Sequence, residues 1–409
     1  MEPVLTQVAT ILLLGVVLKI AAARLKFPEI VLFILGGTFL VSYGLVDLTG
    51  LGPLPELVRT VALIIVVFSA GFYLKISEIR EQGKNIVFLA TMGVLLTALI
   101  IAFTTFSLLS IALPAALFLG VLLCGTDPAA VSSTSYKNSE KPNRVLTILN
   151  AESLFNSPFT VILPLLLLDY MVQPELAWLS VPTLASLIIM GGIVGFAAAK
   201  IGGWVLRFAR SEHTEIIGLM IAMVSYVVSE NLLGSGILAV AVCSILISSE
   251  KIPHKRWMGE FNKGLALLFT IFVFVMLGAQ FSFEQLIFTR MEIFTIIIAL
   301  IAGRLFTSLL LLMRSGLSLN EKLKIGLIAP KGMAPAALAP LLLAPGLMIA
   351  GAESVVKIVY VAIVISILIS LIVMRLFVVP KEEEKSMKEQ LEEKRNEREG
   401  KEGGESDGE

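Results

Sequence analysis

Thirteen runs of apolar residues, broken by short polar, charged, glycine or proline stretches, occupy the first 380 positions of this 409-residue chain. They fall near 4–22, 28–45, 58–76, 86–111, 113–133, 146–170, 179–206, 213–230, 234–249, 263–282, 291–313, 322–345 and 354–379. Most approach or exceed the roughly 20 residues a helix needs to cross hydrocarbon. The pattern predicts an all-α membrane protein of about thirteen transmembrane helices spanning residues 1–380.

Polar groups inside these runs carry the candidate chemistry, because an ionisable side chain at the bilayer centre costs roughly 2.5–3.5 kcal/mol on insertion scales. The fifth run contains Gly125-Thr126-Asp127-Pro128. Pro128 lacks a donor and disfavours helix at Asp127, so the helix is expected to break there and expose backbone carbonyls and a half-helix N-terminus. Asp127 either caps the second half-helix or serves an ion directly, and the two roles are compatible. The twelfth run shows a matching interruption at Pro330-Lys331-Gly332 and Pro335. One interrupted span in each half is what an inverted repeat predicts, with runs 1–6 and 8–13 as the halves and the two broken helices crossing at mid-membrane. In the sixth run Glu152, Ser153, Asn156 and Ser157 form a polar stripe at helical spacing. Such a stripe either glues helices together or lines an ion path. A buried Glu152 requires a cation, and Arg304 and Lys331 are the intramembrane candidates.

Composition agrees with a membrane chain and narrows the chemistry. The sequence is 56% hydrophobic with a mean hydropathy of +0.90. Cys124 and Cys243 both lie in apolar runs, which argues against a disulfide framework, and His213 and His254 fall near loops. With no basic start before the first run, that run reads as a retained helix. Lys and Arg concentrate in every second loop, from Arg24 and Lys26 to Arg314, Lys322 and Lys324, and intervening loops such as Leu45–Glu56, Asp169–Trp178 and Ser229–Leu233 carry none. The positive-inside rule then puts the N-terminus outside and the C-terminus in the cytoplasm of a multi-pass cell-membrane protein. Residues 381–409 hold 12 acidic and 7 basic side chains and end in a glycine-rich stretch. That composition predicts a solvated, disordered cytoplasmic tail, with a short helix over Met387–Glu399 as its one candidate element.

These motifs resemble the monovalent cation/proton antiporters of the sodium/proton exchanger type, most closely the archaeal and bacterial electroneutral members. Four places carry the likeness: Gly125-Thr126-Asp127-Pro128; Glu152-Ser153-Leu154-Phe155-Asn156; Ile301-Ala302-Gly303-Arg304; and Pro330-Lys331-Gly332 with Pro335-Ala336-Ala337-Leu338-Ala339. The run with Phe261-Asn262 and Phe272–Ala279 is similar to the family's tenth helix. The resemblance implies a homodimer. Its dimerisation part would lie near 1–80 and 213–282, and its ion-carrying core near 86–171 and 291–379, moving as an elevator. It implies Na⁺ or another monovalent cation and H⁺ as substrates, with Asp127, Thr126, Ser153, Asn156 and Ser157 at the ion, and a structural ion pair of Glu152 with an arginine, Arg304 being the first choice and Lys331 the other candidate. No cofactor is implied.

The chain departs from the pattern at two points. The family continues Asn-Asp where this sequence has Asn156-Ser157, and Lys331 stands where relatives commonly carry Arg. Serine supplies an oxygen ligand but carries no proton at physiological pH. Proton coupling then falls to Asp127 or Glu152, with Asp127 the expected titrating group, or coupling and ion choice differ, or the chain exchanges no protons. Two rivals remain: a sodium-coupled solute symporter, which needs a larger polar cavity, and a transport-deficient membrane sensor or scaffold. The sequence has no nucleotide-binding glycine motif, no His–carboxylate metal set and no soluble catalytic domain, so an enzyme is not expected, nor a nucleic-acid partner.

Overall fold

The computed structural model describes residues 2–376, apart from 26, 48–53, 110, 129, 132–143, 173–179, 210–212, 251, 253–254, 282, 284–288, 344–348 and 375. The charged tail, His254, and the loop lysines Lys137 and Lys141 lie outside the described residues. All regular structure among the described residues is helical, as a chain in lipid requires when each backbone group must be satisfied within its own segment.

The helices, in order, are α1 (Glu2–Leu25), α2 (Glu29–Ser42), α3 (Leu54–Phe72), α4 (Ile76–Phe88), α5 (Val94–Leu108), α6 (Leu113–Leu123), α7 (Arg144–Val172) and α8 (Ser180–Ala209). They continue with α9 (Thr214–Asn231), α10 (Gly236–Ser249), α11 (Lys255–Gly278), α12 (Arg290–Leu311), α13 (Leu319–Leu327), α14 (Met333–Leu338) and α15 (Ala352–Val373). A π-helical turn over Leu89–Gly93 joins α4 to α5, and a 3₁₀ turn over Ala339–Leu343 prolongs α14. Among the described residues, seven helical stretches are long and apolar enough to cross a membrane, and five shorter apolar ones accompany them.

Two expected boundaries are corrected. The fourth helical unit begins at Ile76 rather than near 86, and α11 begins at Lys255 rather than near 263. Both extensions are charged and amphipathic (Ile76–Phe88 includes Arg80, Glu81 and Lys84), so hydropathy does not mark them although the helix continues. Two helix starts are fixed locally by capping boxes, Thr289 with Glu292 and Ser318 with Glu321.

The helices sort by their packing into two groups. In the first, α1, α2, α3, α8, α9, α10 and α11 pack on one another; in the second, α4–α7 and α12–α15 do. The groups touch mainly where α7 meets α3 and α10, and where α14 meets α11. Both interrupted segments belong to the second group, so the candidate chemistry lies in one bundle and faces the other.

Candidate functional site: two helix breaks and a polar stripe

Helix α6 stops at Leu123, the chain runs irregularly through Cys124–Asp127, and helical backbone resumes at Pro128. Helix α13 stops at Leu327, and 328–332 run without regular structure until α14 begins at Met333. Pro128 and Pro330 therefore sit at the breaks, whereas Pro335 falls inside the first turn of α14. The two breaks meet. The Asp127 backbone N–H donates to Pro330 O at 3.0 Å, and Lys331 Nζ donates to Gly125 O at 2.7 Å. The Lys331 N–H in turn donates to Ser366 Oγ of α15 at 2.9 Å. Backbone groups freed at the interruptions are thus satisfied partly across the crossing and partly by α15, as irregular backbone at membrane depth demands.

Two glycines make this approach possible. A Cβ on Gly332 would lie 2.2 Å from the Asp127 carboxylate, and one on Gly125 would lie 1.9 Å from Thr160 Cγ2. A side chain at 332 would press on the first break, and one at 125 would press on α7. Asp127 Oδ1 accepts from Ala130 N–H at 2.9 Å, so this carboxylate also caps the half-helix that follows it.

Helix α7 supplies the polar stripe: Glu152, Ser153, Asn156, Ser157 and Thr160 are all buried. Arg304 Nη2 of α12 donates to Glu152 Oε2. Lys331 is directed instead to the Gly125 carbonyl. Asn156 Nδ2 donates to Thr126 Oγ1 at 3.0 Å and to Glu152 Oε1 at 3.4 Å, linking the stripe to the first break. Ser153 and Ser157 turn their hydroxyls to backbone carbonyls one turn back, at Asn150 and Ser153. Among the described residues, Asn156 Oδ1 and Arg304 Nε and Nη1 have no hydrogen-bond partner.

A small cavity of about 20 Å³ opens beside the first break. One water-sized occupant needs roughly 10–15 Å³. Asp127, Thr126, Ser157 and Thr160 line it from the second helix group, while Leu63 of α3 and Ile237 of α10 close it from the first. Three of the expected ion-site residues are therefore brought together, and Ser153 and Asn156 stand behind them. Thr160 was not singled out by sequence, although it continues the stripe one turn beyond Asn156. Among the described residues the only buried Asp, Glu, Lys or Arg side chains are Asp127, Glu152, Arg304 and Lys331. Their formal charges cancel, so a cation entering the cavity adds an uncompensated positive charge.

The profile described as "Sodium/hydrogen exchanger, transmembrane" matches residues 8–379. The chain belongs to this family. Among sodium/hydrogen exchangers, it is 28% identical over 346 residues to Na(+)/H(+) antiporter 1 of Methanocaldococcus jannaschii, covering 79% of each chain. It is 26% identical over 285 residues to the K(+)/H(+) antiporter NhaP of Alkalimonas amylolytica, covering 68% of this chain and 50% of the relative. The chain spans about half the length of several curated relatives it matches. The solved structure of the sodium proton antiporter MjNhaP1 from Methanocaldococcus jannaschii at pH 8 superposes with a TM-score of 0.79 at 22% identity, over 93% of this chain and 99% of that chain. The fold is that of a multi-pass helical antiporter.

Proposed function

We propose that this exchanger is a secondary active antiporter that moves Na⁺, or another monovalent cation, against H⁺. One observation carries the reading: Asp127 lies at the junction of two crossed helix breaks and lines a cavity of about 20 Å³ with Thr126, Ser157 and Thr160. A carboxylate surrounded by hydroxyl and carbonyl oxygens suits a small hard cation or a proton, one at a time. The cavity volume disfavours an organic co-substrate, which would need several hundred Å³. Relatives named for Na⁺ and for K⁺ exchange support the substrate class and leave both cations in the proposal.

In this reading the chain crosses the membrane thirteen times with the C-terminus in the cytoplasm, and two copies assemble through the first helix group. The second group carries the ion as an elevator. Leu63 and Ile237 form the fixed wall against which the site slides, which is supported by the cavity's position between the groups. Asp127 exchanges Na⁺ for a proton. The Glu152–Arg304 pair and Asn156 hold α7 and the first break in register behind it.

The test is a proteoliposome assay comparing Na⁺-driven and K⁺-driven changes in lumenal pH. The antiporter reading expects alkalinisation or acidification that follows the cation gradient and vanishes in Asp127→Asn. Cation binding without proton movement would favour the transport-deficient sensor, a reading to which Ser157 lends its one specific support.

A further inference from the structure

A second cleft, of about 730 Å³, lies well apart from the ion site. The link between α3 and α4 and the start of α11 form its walls, bringing Lys75 together with Lys255 and Arg256. Glu260 is the one acidic side chain lining it, and its carboxylate already meets Lys263 at 3.6 Å. Lys255 donates to Ser248 O and lies 5.9 Å from the Phe72 ring. Among the described residues neither Lys255 nor Arg256 has a carboxylate partner. Lys255 and Arg256 thus bring to the cleft positive charge that no carboxylate among the described residues pairs with.

Its level and surroundings favour one occupant. The cleft opens where the apolar helices α3 and α10 end, and exposed Tyr73 (48%) and Trp257 (72%) flank it. Tyr and Trp collect at the height of lipid headgroups. From there an exposed stripe descends α11 at helical spacing through Trp257, Phe261, Gly264 and Leu268. A Cβ on Gly264 would meet nothing within 4 Å, so the stripe is open to lipid at that position.

We infer that this cleft binds the headgroup of an anionic phospholipid, with the phosphate among Lys75, Lys255 and Arg256 and an acyl chain along the Trp257–Leu268 stripe. The basic cleft supplies the charge complement and the stripe supplies the apolar track that a soluble anion would not use. Basic side chains at a membrane surface attract anionic lipid individually.

The purified full-length protein in detergent, titrated with dioleoyl-phosphatidylglycerol and followed by melting temperature, tests the assignment. Wild type should be stabilised by phosphatidylglycerol well below the concentration at which phosphatidylcholine acts. Lys75→Gln with Arg256→Gln, both exposed positions, should weaken the half-maximal concentration about fivefold per residue, so roughly thirtyfold together. Glu260→Gln should tighten it, while Arg24→Gln with Arg314→Gln, two cations away from the cleft, should leave it unchanged. The inference fails if the cleft variant titrates like wild type, if the remote variant loses as much, or if phosphatidylcholine serves equally. It also fails if inorganic phosphate alone reproduces the full stabilisation and phosphatidylglycerol adds nothing.

Discussion

Replacing Ser157 by aspartate probes the electrostatics of the ion site most sharply. Ser157 is 5% exposed, lines the cavity with Asp127, and spends its hydroxyl on the Ser153 carbonyl. Because the four buried charges of Asp127, Glu152, Arg304 and Lys331 cancel, bound Na⁺ leaves the site one positive charge in excess. A second carboxylate removes that excess. At about 4 Å and an effective dielectric of about 20, its attraction for the cation is about 4 kcal/mol. Dehydrating the new carboxylate costs several kcal/mol and offsets part of this. A net gain of about 1.4–2.8 kcal/mol remains, which corresponds to a tenfold to hundredfold lower Na⁺ concentration for half-maximal exchange. The measurement is the Na⁺ dependence of proton flux in proteoliposomes for wild type and Ser157→Asp, with melting temperature as the control for folding. Unchanged or weaker Na⁺ activation in a folded variant would refute the reasoning and remove position 157 from the ion's surroundings.

Three further outcomes follow from the geometry. Glu152→Gln or Arg304→Gln alone strands a buried charge and should each cost roughly 3–5 kcal/mol of stability, while the double variant should lose clearly less than the sum in denaturation experiments; additive losses would dissolve the pair. Gly332→Ala places a methyl 2.2 Å from the Asp127 carboxylate and should abolish exchange while the protein still assembles; wild-type flux in that variant would contradict the crossing described above. The Ser318 backbone N–H holds the Glu321 carboxyl below its ordinary range, with the Ser318 hydroxyl assisting. That contribution is therefore complete above the unfolded carboxylate pKa and is lost as pH falls through the folded one. Glu321→Gln should cost up to about 1 kcal/mol at neutral pH and nothing in acid, checked by thermal melts across pH.

Much of this arrangement was legible in the sequence because membrane burial makes polar residues conspicuous. Asp127 before Pro128 and Lys331 after Pro330 marked both interruptions, since proline and charge are costly in an apolar helix unless they end it. Periodicity put Glu152 and Asn156 on one face, and Arg304 stood out as a guanidinium within an apolar run. Local pattern could not reveal which cation Glu152 takes, because that depends on how α12 packs on α7. Ser153 shares its spacing with the ion-site candidates yet bonds the Asn150 carbonyl, an alternative always open to serine in a helix. The cavity's far wall, Leu63 and Ile237, carries no polar signal at all. The amphipathic starts of α4 and α11 escaped for the opposite reason: their charges resemble loop, although their helical hydrogen bonding continues.

The most direct measurement is Na⁺-driven proton flux in proteoliposomes reconstituted with wild type and with Asp127→Asn, at matched protein incorporation. If Asp127 is the group that exchanges cation for proton, wild-type vesicles change lumenal pH when a Na⁺ gradient is imposed, and the Asn variant, folded to the same melting temperature within a few degrees, does not. Full cation-driven flux in Asp127→Asn would contradict the assignment, because exchange would then run with no carboxylate at the crossing of the two helix breaks.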